Sequence, residues 1–99
     1  MSDNKRQIES IKSDIERLKS YIDPKKSSIQ SLKNDKSRIS DRYKDQIKRA
    51  DKKDKERLRD KKKYEIEGVA KQILSLKKVI EDYKNQILRK REDIKRLKK

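Results

Sequence analysis

Residues 51–63 read DKKDKERLRDKKK, in which eight basic and four acidic side chains surround one apolar residue, Leu58. No helical or strand-like apolar pattern passes through so polar a stretch. Regular patterns lie on both sides of it, one ending near Tyr43 and one beginning at Ile66. The stretch therefore reads as a charged tip at which the chain turns back. An arm over 5–50 precedes it and a returning arm over 64–99 follows.

The first arm carries Ile8, Ile11, Ile15, Leu18, Ile22, Ile29, Leu32, Ile39 and Tyr43. Their spacing alternates between three and four, the heptad signature of a helix that buries one narrow stripe. The second arm repeats it with Ile66, Val69, Ile73, Leu76, Ile80, Tyr83, Ile87, Ile94 and Leu97. Lys25, Lys36 and Lys90 occupy stripe positions. They weaken the seam but can fix its register or oligomeric state. Ser2, Asp3 and Asn4 offer capping side chains for a helix starting near Lys5. Gly68 is a weak point near the start of the second pattern.

The two patterns are out of heptad phase, so a single uninterrupted rod needs a local adjustment between them. Reversal removes the difficulty. Folding between Lys52 and Lys53 sets Ile8 against Leu97, Leu18 against Ile87, Ile29 against Leu76 and Ile39 against Ile66. Each stripe lysine then meets an aliphatic residue: Lys25 with Ile80, Lys36 with Val69, Lys90 with Ile15. A slip of one heptad fits the seam almost as well, and only the matched ends and the pair Ile47/Leu58 choose between them. The tip lacks the Gly or Asn that a tight helix–helix turn favours, but Asp51 or Asp54 could cap the returning helix. The competing picture is a charged helix running straight through 51–63, with dimers formed in trans.

Asp23-Pro24 interrupts the first arm. Proline removes a helical N–H and disfavours helix at the residue before it. The unchanged heptad phase on both sides favours a kink or very short interruption. A true turn, with Asp23 as N-cap and Pro24 opening a new helix, is the alternative. The expected fold is all-α: one domain over 1–99, a long antiparallel hairpin of coiled-coil type, kinked or broken at Pro24. So thin a hairpin is also expected to oligomerise or to pair with another helical protein. Tyr21, Ile47, Ala70, Leu74, Val79 and Leu88 lie off the seam and could serve that contact, Leu74 and Leu88 on one stripe. The length and hairpin plan resemble the WxG-turn family of secreted helical hairpins. At Ile66-Glu67-Gly68 the tryptophan is missing and the segment lies far from mid-chain, so the resemblance is one of plan and assigns no family.

Composition narrows the function. The chain has 28% apolar and 52% charged residues, no Cys and no His. No thiolate and no imidazole is present to act as nucleophile, general base or soft metal ligand. Ten serines lack a base, and nine lie before residue 41 as exposed positions or caps. Glu65/Glu67 and Glu81/Asp82 sit among lysines and read as ion-pair partners. No enzyme, metal or cofactor is expected. MSDNKRQIES has no signal-peptide core and no run suits a membrane helix, so the default expectation is cytoplasmic.

Charge is the remaining signal. Thirty-three Lys and Arg oppose 18 Asp and Glu, net +15. Residues 1–23 are neutral, whereas 24–50, 51–63 and 64–99 carry +6, +4 and +5. The candidate polyanion-binding residues are Lys52, Lys53, Lys55, Arg57, Arg59, Lys61, Lys62 and Lys63 at the tip. Arg89, Lys90, Arg91, Lys95, Arg96, Lys98 and Lys99 join them in the tail. Tyr64, beside KKK, is the one candidate for stacking on a base. The expectation is a non-enzymatic structural or interaction protein that works through helix association and presents a basic surface. Its partner is a second copy, another helical protein or an acidic surface. Sequence-independent nucleic-acid binding is the alternative, and membrane association is not expected.

Overall fold

The computed structural model describes residues 2–99. It is all-α, with two long helices packed against each other as a hairpin. Helix α1 spans Ser2–Arg49 and α2 spans Lys52–Lys98. The heptad spacing dictates this: each helix has one narrow apolar stripe and is polar elsewhere, so it can bury that stripe only against another stripe.

Two boundaries differ from the sequence reading. The reversal occupies Ala50 and Asp51, not the point between Lys52 and Lys53, and 52–63 is the first part of α2. Asp51 explains the sharpness. Its Oδ1 accepts the backbone N–H of Asp54 at 2.9 Å, and its carbonyl accepts that of Lys55 at 2.9 Å. That is an N-cap: the side chain serves a first-turn donor that a helix start leaves orphaned, and the carbonyl accepts the first intrahelical bond. On the other side Ala50 N–H donates to the Ile47 carbonyl at 3.3 Å, a tightened last turn. Among the described residues no φ is positive, so this turn does without glycine.

Helix α1 starts at Ser2 rather than near Lys5. Asn4, expected as a capping residue, is inside the helix. Its Nδ2 donates to the Leu97 carbonyl at 3.4 Å, one of the acceptors that the last turn of α2 leaves without a helical donor. Pro24 lies inside α1, which runs on through it, so the alternative of a true turn there does not occur. One lost N–H is tolerable when the seam on both sides holds the chain helical: Ile22 and Ile29, which flank the proline, are both buried.

The helices divide into two compact units, Met1–Lys26 with Lys77–Lys99, and Ser27–Leu76. In the first, Ile15, Leu18, Ile22, Ile80 and Ile87 are buried. In the second, Ile29, Tyr43 and Ile73 are. Ile8, Ile11, Leu32, Ile39, Ile66, Val69, Leu76, Tyr83, Ile94 and Leu97 are half-buried, so no predicted seam residue is exposed. Gly68 is exposed, and a methyl group there would meet nothing within 4 Å. Gly68→Ala is expected to stabilise the fold by about 1 kcal/mol, from helix propensity alone. A urea-unfolding midpoint that does not rise would contradict it.

Candidate interaction surface

The seam is used up inside each unit, so what the molecule offers to others lies on its edges and outer faces. In an antiparallel pair, the heptad positions flanking the seam face like positions of the other helix, on two opposite edges. Cross-helix contacts mark the first edge. In the unit of Met1–Lys26 and Lys77–Lys99, Lys90 Nζ lies 3.6 Å from Asp14 Oδ2. The Tyr21 and Tyr83 rings meet at 5.6 Å and 45°. A shallow hollow of about 250 Å³ opens among Asp14, Arg17, Leu18, Tyr21, Gln86 and Lys90. In the unit of Ser27–Leu76, Arg42 bonds Glu65 at 2.9 Å and stands over the Tyr43 ring at 5.2 Å. These contacts agree with the expected register, in which Leu18 and Ile87 share a layer.

The basic candidates fall into two groups. Lys52, Lys53, Arg57, Arg59, Lys61 and Lys63 are exposed on the first turns of α2. Arg89, Arg91, Lys95, Arg96, Lys98 and Lys99 are exposed near its end. Lys55, Lys62 and Lys90 are half-buried instead. Lys55 and Lys62 precede Val69 by two heptads and one, so they continue its row into the seam and point their stems inward. Some of the exposed cations have carboxylate neighbours: Arg57 with Asp54 at 3.2 Å and Arg96 with Asp93 at 3.7 Å. Such exposed pairs contribute little, about 0.2–1 kcal/mol. They leave the excess charge in place, since 18 carboxylates cannot pair one-to-one with 33 cations.

Tyr64 is 80% exposed. With buried Tyr43 it borders an open hollow of about 510 Å³ whose other walls are Arg57, Asp60, Lys61 and Glu65. Arg57, Lys61 and Tyr64 lie one helical turn apart on one face of α2. Among the described residues no group of three or more carboxylates is placed to hold a metal ion, and no helix is long and apolar enough to cross a membrane.

The opposite edge was not singled out by composition. Lys12, Lys19 and Lys26 of α1 and Lys77, Lys84 and Arg91 of α2 occupy its flanking positions, and all six are exposed. The signal was in the sequence, as basic residues every seven positions in phase with the seam. Block counts of charge average it away. No protein-family model matches the chain, and comparison with curated proteins and with solved structures finds no match.

Proposed function

We propose that the chain is a non-enzymatic interaction module: a hairpin that folds on its own seam and engages an acidic partner through its cationic exterior. The observation that carries this is the division of labour between residue types. Every seam aliphatic is shielded by the partner helix of the same chain, while at least the net +15 has no internal carboxylate to meet. A second copy would bring a further +15 against the first, so an acidic helical protein is favoured over a homo-oligomer.

Nucleic acid is the second reading, favoured by one observation: Tyr64 stands exposed beside Arg57 and Lys61, the combination used to stack bases and meet phosphates. Sedimentation of the chain alone, with poly-glutamate and with duplex DNA at about 50 mM salt tests both. Co-sedimentation with poly-glutamate, lost at about 500 mM salt, is the expected result. A chain that sediments unchanged beside either polymer would sink the proposal. Tight binding to DNA alone would replace it with the second reading.

A further inference from the structure

One edge of the unit formed by Met1–Lys26 and Lys77–Lys99 is cationic at every flanking position. On α1 these are Lys12, Lys19 and Lys26; on α2 they are Lys77, Lys84 and Arg91. The register that brings Asp14 to Lys90 and Tyr21 to Tyr83 on the first edge sets Lys12 against Arg91, Lys19 against Lys84 and Lys26 against Lys77 on the second. Like charges facing each other across a helix pair destabilise it. The first edge of the same unit carries Asp14, Gln86 and Asp93 at comparable positions, so the bias belongs to one edge and does not follow from basic composition.

Outside the α1 row stand Glu9, Glu16 and Asp23, and Lys19 reaches Glu16 at 3.4 Å. Outside the α2 row stand Glu81, Leu88 and Lys95. Leu88 is 56% exposed and lies between Lys84, Arg91 and Lys95 at helical spacing. The edge thus has an apolar knob bordered on its seam side by Lys84 and Arg91, with Asn85 and Glu92 on its outer side.

We infer that this edge is the docking site for a third helix, one that carries Asp or Glu at heptad spacing beside a small apolar stripe. Successive cations along each row are seven residues apart, about 10.5 Å at the rise of an α-helix. Acidic residues one heptad apart on a partner helix repeat at the same distance. Phosphates are far denser, one charge for about every 1.7 Å of a DNA duplex. Nor does the edge offer stacking surface: Tyr21 and Tyr83, the tyrosines of this unit, meet on the opposite edge. This inference deepens the proposed function and rests on it.

The test uses the full chain and a fluorescent three-heptad peptide with an Ala/Leu stripe flanked by Glu, followed by anisotropy at about 50 mM salt. A short duplex DNA is the second probe. The double variant K84E/R91E is compared with R6E/K78E, which changes charge equally at two exposed positions on the outer faces, away from this edge. Loss of about tenfold or more in peptide affinity for K84E/R91E, against about threefold or less for R6E/K78E, is expected. Leu88→Ala should also weaken the peptide. Circular dichroism of K84E/R91E should show full helicity and a higher thermal midpoint at low salt, because facing like charges have been removed. The unmodified chain should itself gain thermal stability as salt rises and screens the rows. Equal losses in the two double variants would overturn the edge assignment alone. So would a duplex that binds more tightly than the peptide. Failure of both probes to bind would overturn the interaction module as well.

Discussion

Ile22→Asp is expected to unfold the hairpin at neutral pH. Ile22 is 6% exposed in the seam and lies two residues from Pro24. A carboxylate there is either desolvated, drawing in Lys25 or Lys26 at helical spacing only at a further desolvation cost, or escapes by separating the helices. Burying an unpaired charge costs about 3–5 kcal/mol after relaxation, a large share of what a small domain has in reserve. Pro24 adds to the effect, because the helix already lacks one backbone hydrogen bond there and depends on packing to pass through. Ile80→Asp, at 7% exposure on α2, should behave alike. The matched control is Leu88→Asp, an identical change of polarity at a 56% exposed position, with an expected cost below about 0.5 kcal/mol. Far-ultraviolet circular dichroism separates the cases. A chain with Ile22→Asp that keeps its helicity, or with Leu88→Asp that loses it, would contradict the internal seam.

The seam was legible because its signal is redundant. Eighteen aliphatic and tyrosine positions repeat one spacing, so the helix type, the buried face and the pairing partner all follow from it. What stayed open or was misread depends on single residues. At Pro24 the local rule argues for a stop and the unchanged heptad phase argues against one; the packing of the flanking isoleucines decides for a helix that runs through. At the reversal, the polar run suggested a broad tip. One residue, Asp51, supplies the side-chain and backbone acceptors that let α2 begin at Lys52. The cationic edge was missed for a different reason. Net charge by segment is blind to angular position, whereas a partner meets one face of a helix at a time.

Replacing the three seam lysines with leucine, as Lys25→Leu, Lys36→Leu and Lys90→Leu together, is expected to stabilise the hairpin and to loosen its specificity. All three are half-buried on rows otherwise filled by aliphatics. Each gains about 1–2 kcal/mol by exchanging a partly desolvated ammonium stem for a side chain that fills the layer. Lys90 should contribute least, since its loss removes one of the two cations on Asp14, the one at 3.6 Å, and leaves only Arg17 at 2.7 Å. The cost is in choice of partner. The slip of one heptad that puts Lys36 opposite Lys62 is disfavoured by charge in the native chain, and leucine removes that penalty. An uninterrupted aliphatic seam also invites helices from other copies, which half-buried lysines deter. A raised urea midpoint together with a larger sedimenting species is the expected pair of results. Lower stability in the triple variant would show that the ammonium groups are held by favourable contacts rather than tolerated. A more stable variant whose mass does not change would assign partner discrimination to the cationic edge instead of the seam.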